Sequence, residues 1–289
     1  MSTLTITTIQ AELSWEDKES NLRRFGERIG SIRDHTELII LPEMFSTGFS
    51  MNPQAFAEKM DGPTVAWMKR TAAQKKAILT GSLIIEENGN YFNRLIWMLP
   101  NGQYGCYDKR HRFAFAGEDE KFSAGNKRLI ASVKGWKVHL LVCYDLRFPV
   151  WSRQQHSPAP PVPAQLHAQA SAATPQGSAP PPPAPAPEYD LLVYVANWPE
   201  RRNHAWKTLL PARAIENQSY VVGVNRVGND GNNIRHSGDS MIIDPLGEIL
   251  YQAPEKEDIF TCTLGKDKLE ETRTRFPFWR DADHFSIQP

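Results

Sequence analysis

Cysteine is scarce in this chain, which has only Cys106, Cys143 and Cys262 among its 289 residues. The number is odd and no two cysteines form a Cys-x-x-Cys pair, so neither a disulfide framework nor a zinc site is indicated. We therefore expect no metal and no cofactor. In a reducing compartment Cys143 is expected to remain a thiol.

Net charge and long apolar segments are also lacking. The 33 Lys and Arg residues balance 33 Asp and Glu residues, so nucleic acid has no general electrostatic reason to bind. No apolar run approaches the roughly 20 residues that a membrane helix needs, and residues 2–10 lack the basic start and apolar core of a signal peptide. We expect a cytoplasmic enzyme for a small molecule, with no nucleic-acid or membrane partner.

One segment lacks large apolar side chains. Residues 154–188 hold half of the 22 prolines, including Pro180–Pro183, among alanine, serine and glutamine. Such a composition cannot build a core. We expect residues 1–289 to form one domain that is interrupted here by a disordered or polyproline II insertion, because long surface insertions cost little loop-closure entropy. The alternative is a ligand for a proline-binding domain.

The first third of the chain alternates strands and helices. A strand over residues 4–10 is followed by a helix that Ser14 is expected to cap, with Phe25 on its buried face. A second helix begins at Pro63 and leads into a strand over residues 77–86.

Hairpins dominate the middle and the end. Their predicted turns are Asn101-Gly102, Lys134-Gly135 and the segment Asp244 to Gly247. Because helices mix with hairpins, a plain parallel sheet does not fit, and we predict an α/β (α+β) fold with helices outside two facing mixed sheets. The remaining predicted elements are a buried strand over residues 190–196, a helix over residues 204–217 and a strand over residues 220–225.

Three apolar runs end in a side chain that can take part in covalent acyl transfer. They deliver the carboxylate of Glu43, the ammonium of Lys109 and the thiol of Cys143. Open α/β folds place their reactive groups at the carboxyl ends of buried strands, which favours a shared site. Taken singly, Cys143 is more typical of a small buried hydrophobe than of a nucleophile, and Glu43 with Lys109 is more typical of an ordinary ion pair. Taken together, the three residues favour a catalytic site.

Several short motifs follow one another in a fixed order along the chain. They are Leu41-Pro42-Glu43, Asp108-Lys109-Arg110-His111, Glu118 seven residues before Gly125, the run Cys143 to Pro149, and Ala212 to Asn217. This ordered set resembles the nitrilase superfamily of carbon-nitrogen hydrolases, over nearly the whole chain except residues 154–188, and is nearest to its omega-amidase branch, also called 2-oxoglutaramate amidase. The resemblance implies a four-layer αββα sandwich, a Glu-Lys-Cys triad and a homodimer.

The resemblance implies a role for each polar residue. Cys143 is expected to attack the amide carbon, and Glu43 to carry its proton. Lys109 and the backbone N–H of Tyr144 are expected to stabilise the oxyanion. Glu118 is the family's second glutamate, expected to orient Lys109 or the amide.

Other residues are candidates for binding the substrate. Phe45, Phe115 and Trp198 are expected to wall a small pocket, although aromatic residues are more often simple core. Arg147 is a candidate clamp for a substrate carboxylate, but Asp145 and Arg147 are also candidates for a structural pair, with each other or with the turn backbone. Two arginines beyond Trp198 are further candidates for the clamp: Arg201 and Arg202.

Three functions compete at this point. The first is hydrolysis of the terminal amide of small omega-amido 2-oxo acids such as 2-oxoglutaramate or 2-oxosuccinamate, through a cysteine thioester. The second is another carbon-nitrogen hydrolysis, of a nitrile, an N-carbamoyl amine or a deaminated peptide. The third is a non-catalytic scaffold whose proline-rich loop binds a partner. A papain-like mechanism is a further rival, but no histidine stands in a context that favours it as the base.

Overall fold

A computed structural model describes residues 2–154, 186–283 and 285–287. Residues 155–185, which are most of the predicted insertion, lie outside the described residues. Their predicted disorder therefore stays a prediction. Its two ends are ordered. The side-chain oxygen of Gln154 accepts the main-chain N–H of Glu188 at 2.6 Å, so the chain leaves and re-enters the fold at one point.

Thirteen strands and seven α-helices make up the described part of the chain. In chain order the strands are β1 (Thr3–Gln10), β2 (Leu38–Ile40), β3 (Ile78–Glu87), β4 (Asn90–Met98), β5 (Tyr104–Asp108), β6 (Ile130–Val133), β7 (Trp136–Val142), β8 (Leu191–Val195), β9 (Tyr220–Val224), β10 (Val227–Asn229), β11 (Arg235–Ile243), β12 (Ile249–Pro254) and β13 (Asp258–Gly265). The helices are α1 (Lys18–Ser31), α2 (Pro53–Phe56), α3 (Pro63–Lys75), α4 (Glu118–Lys121), α5 (Pro149–Ser152), α6 (Asn203–Asn217) and α7 (Lys266–Arg275).

The strands form two mixed sheets. The first has the order β13-β1-β2-β3-β4-β5, and the second the order β10-β11-β9-β8-β7-β6 with β12 beside β11. In each sheet three central strands are parallel, β1-β2-β3 and β7-β8-β9, and the outer pairs are antiparallel. This topology brings the carboxyl ends of the central strands to one edge of each sheet, where functional groups of such sheets collect.

Helices cover the outer face of both sheets. Phe25 of α1 and Met68 of α3 pack in one core with Ile39 of the first sheet. Trp206 of α6 packs in a second core, which also contains Leu140 of the second sheet and residues of the first sheet. This core therefore extends from α6 through the second sheet into the space between the two sheets. The four-layer αββα sandwich predicted from the sequence is therefore confirmed.

The predicted helices and hairpins are present, with one wrong cap. Asp17, and not Ser14, caps α1, since its Oδ1 accepts the N–H of Ser20 at 3.0 Å. The main chain of Ser14 is held instead by the side chain of Asn21, which accepts its N–H at 2.8 Å and donates to its carbonyl at 2.7 Å. Strand β13 was not predicted from the sequence. It pairs antiparallel with the whole of β1.

The described part of the chain contains no helix that is long and apolar enough to cross a membrane. In the same residues no group of three or more His, Cys, Asp or Glu side chains is placed to hold a metal ion.

Candidate active site

Glu43, Lys109 and Cys143 lie together, as their positions directly after β2, β5 and β7 predict. The Nζ of Lys109 donates to Oε1 of Glu43 at 2.9 Å, and both charges act on the thiol of Cys143, since the carboxylate raises its pKa and the ammonium lowers it. Glu43 and Lys109 are fully buried, and Cys143 is 8% exposed. The structure therefore places a thiol beside a paired carboxylate and ammonium, away from bulk water.

Glu118 joins this cluster through Lys109. The Nζ of Lys109 donates to both oxygens of Glu118, at 3.0 and 2.8 Å, and Glu118 also accepts the N–H of Phe113 at 2.5 Å. Burial opposes the charge on Lys109, but the carboxylates of Glu118 and Glu43 outweigh it and raise the lysine pKa. The ammonium is thus held charged and fixed between two carboxylates.

Two asparagines that the sequence analysis did not select complete the surroundings of Glu43. The side chain of Asn93, in the middle of β4, donates to Glu43 at 2.8 Å and to Glu118 at 3.2 Å. The main-chain N–H of Asn197 donates to Oε2 of Glu43 at 2.8 Å. Asn93 could have been selected from the sequence, because an amide side chain inside a buried strand needs polar partners there.

The thiol of Cys143 is protonated in the resting site. Burial raises its pKa well above the ordinary value, and the negative charge of Glu43 adds to the effect more than Lys109 opposes it. Cys143 also has φ of +46°, in the left-handed region that non-glycine residues seldom adopt. Such a conformation persists only where the surrounding structure fixes it.

The carboxylate of Asp145 fixes the turn after Cys143. Its Oδ2 accepts the hydroxyl of Tyr107 at 2.7 Å and the N–H of Val142 at 3.0 Å. Its Oδ1 accepts the N–H of His111 at 3.0 Å. Of the two expectations for Asp145, the contact with the turn backbone is present, whereas Arg147 makes other contacts.

A cavity of about 410 Å³ opens in front of Cys143. Tyr144, Arg147, Trp198 and Phe115 all line it, as predicted, and Phe115 stands at the solvent side with 81% exposure. The cavity has the size and the mainly apolar wall that are typical of sites for small ligands.

Phe45 is not part of this wall, which corrects the prediction. It is fully buried and packs against Phe25 and Trp67, with ring centroids 5.6 and 5.8 Å away, in the core between the first sheet and its helices. Phe49, four residues later, lines the cavity and has its ring centroid 5.1 Å from the Nζ of Lys109. An alternating pattern cannot be followed through this irregular loop, so the sequence did not separate the two residues.

Three guanidinium groups line the same cavity, from Arg147, Arg201 and Arg202. Arg147 stacks over the ring of Trp198 at 5.1 Å, and Arg202 over that of Phe113 at 4.8 Å. Burial lowers the pKa of Arg202, and the charges of Arg201 and Arg147 lower it further. Within the described residues no ion pair joins these arginines to a carboxylate, so the cavity offers positive charge to a ligand.

Comparison with known proteins agrees with this geometry. The profile of the carbon-nitrogen hydrolase family matches residues 5–159 and 185–274. The omega-amidase YafV of Escherichia coli K12 is 40% identical over 99% of this chain and 100% of its own. The 2-oxoglutaramate amidase of Bacillus subtilis is 29% identical over 96% of both chains.

A solved structure extends the comparison to the fold. The CN-hydrolase superfamily protein of Xanthomonas campestris, which carries an arsenic adduct in its active site, superposes with a TM-score of 0.89 at 40% identity, and the match covers 100% of both chains. Profile, relatives and fold agree with the ordered motifs of the sequence. The chain belongs to the carbon-nitrogen hydrolase family, the nitrilase superfamily.

Proposed function

We propose that this protein is an omega-amidase, which hydrolyses the terminal amide of small omega-amido 2-oxo acids such as 2-oxoglutaramate and 2-oxosuccinamate. One observation carries the proposal. The Glu43, Lys109 and Cys143 cluster opens into the same cavity as the guanidinium groups of Arg147 and Arg202. The names of the Escherichia coli and Bacillus subtilis relatives support the same substrate class.

In the first half of the reaction Cys143 becomes acylated. Glu43 takes the thiol proton while the sulfur attacks the amide carbon, since the thiolate and not the thiol is the nucleophile. Because burial raises the pKa of Cys143, this transfer accompanies substrate binding. The tetrahedral intermediate then breaks its C–N bond, Glu43 returns the proton to the nitrogen, and ammonia leaves a thioester on Cys143.

In the second half water replaces the thioester. Glu43 takes a proton from water, whose oxygen attacks the thioester carbon. The second tetrahedral intermediate breaks its C–S bond, and the proton returns to the sulfur of Cys143. The sum of both halves is one amide and one water converted to one acid and one ammonia.

The negative oxygen of each intermediate requires donors that are already in place. The ammonium of Lys109, held by Glu43 and Glu118 at 2.9 and 2.8 Å, is one donor, and the backbone N–H of Tyr144 is the other. A single donor of this kind typically contributes about 3 kcal/mol to the transition state. Glu118 fixes the direction of Lys109, because both of its carboxylate oxygens accept hydrogen bonds from Nζ.

The other end of the substrate is recognised by charge. A substrate with a carboxylate at the far end places it among Arg147, Arg201 and Arg202, which otherwise repel one another. A neutral nitrile or simple amide leaves these cations without a partner, which disfavours the second function class. The scaffold alternative rests on the proline-rich segment, which lies outside the described residues, and it gives no reason for an intact cluster around Cys143.

We also propose that the protein forms a homodimer. Val150 and Phe278 line one groove and are 56% and 64% exposed, and Ile215, beside the groove residue Glu216, is 57% exposed. Apolar side chains grouped at a surface are typical of an interface. Sedimentation velocity tests this, with a dimer expected for the native chain and a monomer for Phe278→Glu.

Ammonia release from a panel of amides tests the proposed activity. We expect 2-oxoglutaramate and 2-oxosuccinamate to be hydrolysed much faster than amides of the same length that lack the carboxylate. Equal rates on charged and neutral amides would contradict the substrate class, and a preference for nitriles or N-carbamoyl compounds would support the second class instead.

A further inference from the structure

An acceptor atom without a partner stands beside the proposed base. The side-chain oxygen Oδ1 of Asn197 is buried, and within the described part of the chain it accepts no hydrogen bond. Asn197 as a whole is 5% exposed and lines the cavity that contains Cys143. A buried acceptor without a donor is costly, and a ligand in this cavity can supply the donor.

The orientation of this amide is fixed by chemistry. Nδ2 of Asn197 lies 2.5 Å from the main-chain carbonyl of Glu43. A carbonyl oxygen can only accept, so the nitrogen must face it and Oδ1 must be the free end. The main-chain N–H of Asn197 also holds Oε2 of Glu43. Both the main chain and the side chain of Asn197 are thus fixed to Glu43, which leaves Oδ1 as the one unpaired end of this amide among the described residues.

The proposed mechanism gives the nitrogen of the amide a single contact, with Glu43 as the proton is delivered. Lys109 and Tyr144 address the carbonyl oxygen of the amide, and Cys143 addresses its carbon. Its NH2 group carries two donors, and these need acceptors once the amide has left water.

We propose that Oδ1 of Asn197 accepts a hydrogen bond from the NH2 group of the scissile amide and keeps it as that group becomes ammonia. The inference rests on the proposed amidase function. When Glu43 delivers its proton and the C–N bond breaks, the nitrogen carries three N–H groups, and Asn197 binds one of them. Asn197 is thereby a substrate-binding residue that favours leaving groups with an N–H, and so favours amides over esters of the same acid.

Asn93 provides a matched control. It also contacts Glu43 through Nδ2, and its own Oδ1 likewise has no partner among the described residues. However, Asn93 lies on β4 between Glu43 and Glu118 and is not among the residues that line the cavity, whereas Asn197 is. Loss of Asn93 disturbs the position of Glu43 without removing a contact to the leaving group.

The experiment compares two substrates with one acyl group. We would measure kcat/KM for 2-oxoglutaramate and for the omega-methyl ester of 2-oxoglutarate with the native protein, Asn197→Ala and Asn93→Ala. In Asn197→Ala the amide-to-ester ratio of kcat/KM is expected to fall by about 10-fold or more, the size of one lost hydrogen bond to a buried donor. In Asn93→Ala both substrates are expected to slow together, with the ratio changed less than about 3-fold.

Each outcome of this comparison either supports or contradicts the role proposed for Asn197. Equal losses on amide and ester in Asn197→Ala would overturn the inference and leave Asn197 as a positioning residue for Glu43, and an unchanged ratio with unchanged rates would overturn it as well. The rate of Cys143 alkylation by iodoacetamide and the melting temperature verify that Asn197→Ala is folded, and Asn197→Ser repeats the comparison if it is not. Failure of the native protein to hydrolyse the amide would instead contradict the proposed function, so the two failures are distinguishable.

Discussion

The Nδ1 of His111 lies 2.8 Å from Oδ1 of Asp145, and the main-chain N–H of His111 donates to the same oxygen at 3.0 Å. His111 follows Lys109 by two residues, and Asp145 follows Cys143 by two. The contact therefore joins the segment that carries the ammonium to the turn that carries the thiol. It fixes the distance between the two groups across the two sheets.

Asp145→Asn is expected to weaken this connection. The new NH2 group must face either the donors of His111 or those of Tyr107 and Val142, so two of the four hydrogen bonds are lost. We expect the free energy of unfolding to fall by about 2–4 kcal/mol and kcat to fall about 10-fold or more, as misplacement of reacting groups does. Urea unfolding and steady-state rates measure the two effects.

The exposed Asp119→Asn is the control for this substitution. It is expected to change neither quantity measurably. An Asp145→Asn variant with native kcat would show that the contact with His111 has no part in aligning the site.

Glu43→Gln is expected to abolish both halves of the reaction. An amide side chain cannot carry a proton, so kcat is expected to fall by about 10²- to 10⁴-fold. Alkylation of Cys143 by iodoacetamide is expected to slow as well, because burial raises the pKa of the thiol and a base is needed to ionise it. Peptide mass spectrometry follows the labelled residue, with exposed Glu120→Gln as the control. Labelling of Cys106 or Cys262 with activity intact would argue against Cys143 as the nucleophile.

Arg147→Gln is expected to raise KM for 2-oxoglutaramate several-fold. Arg147 is exposed, so loss of its charge pair with the substrate carboxylate is expected to cost about 1 kcal/mol, and an amide substrate without a carboxylate is expected to be affected much less. The variant should leave iodoacetamide labelling of Cys143 unchanged. Arg235→Gln, at an exposed ion pair with Glu255, is the matched control. An equal change in KM for charged and neutral amides would remove Arg147 from the role of carboxylate clamp.

Stability is expected to fall as the pH is lowered from 7 to 5. Burial, with the charge of Arg226, lowers the pKa of His236 from its ordinary 6.5 to about 4. Between these values the unfolded chain binds a proton that the folded chain does not, so acid favours unfolding, by about 2 kcal/mol at pH 5. His139, also buried, shifts in the same direction.

Urea unfolding at both pH values measures this loss, and His236→Gln is expected to reduce it. The exposed His204→Gln is expected to retain the full loss. A loss that is unchanged in His236→Gln would mean that other groups govern acid unfolding.

Replacement of residues 155–185 by a four-residue polar turn is expected to leave activity and melting temperature nearly unchanged. The flanking residues already meet, since Gln154 bonds to Glu188 at 2.6 Å and its Nε2 donates to the carbonyl of Asn217 at 2.7 Å. A short turn therefore closes without strain. A large drop in either quantity would show that the segment contributes to the fold or to the site.

The sequence predicted the parts of the site that follow strands. Glu43, Lys109 and Cys143 come directly after apolar runs. Two antiparallel reversals, β3 to β4 and β4 to β5, return the chain to the direction of β2, so Lys109 and Glu43 lie at the same edge of the first sheet. The ends of α1 were harder to predict, because Ser14 and Asp17 are both suitable caps and only the path of the chain decides between them.

Contacts between distant segments could not be predicted. Asn93 contacts Glu43 from β4, 50 residues away, and Asn197 contacts it from the loop after β8, 154 residues away. No local sequence pattern predicts these contacts. Phe45 and Phe49 are the same residue type in the same loop, so the sequence does not distinguish them. The path of the loop places Phe45 in the outer core and Phe49 in the cavity wall.

The most direct test is to trap the acyl-enzyme. The native protein is mixed with 2-oxoglutaramate, quenched in acid within the first turnovers, digested and analysed by mass spectrometry, while ammonia is measured in parallel. We expect ammonia release by the native protein, one acyl group on the peptide that contains Cys143, and neither product with Cys143→Ala. Ammonia release that persists in Cys143→Ala, or an acyl group on another residue, would contradict the account.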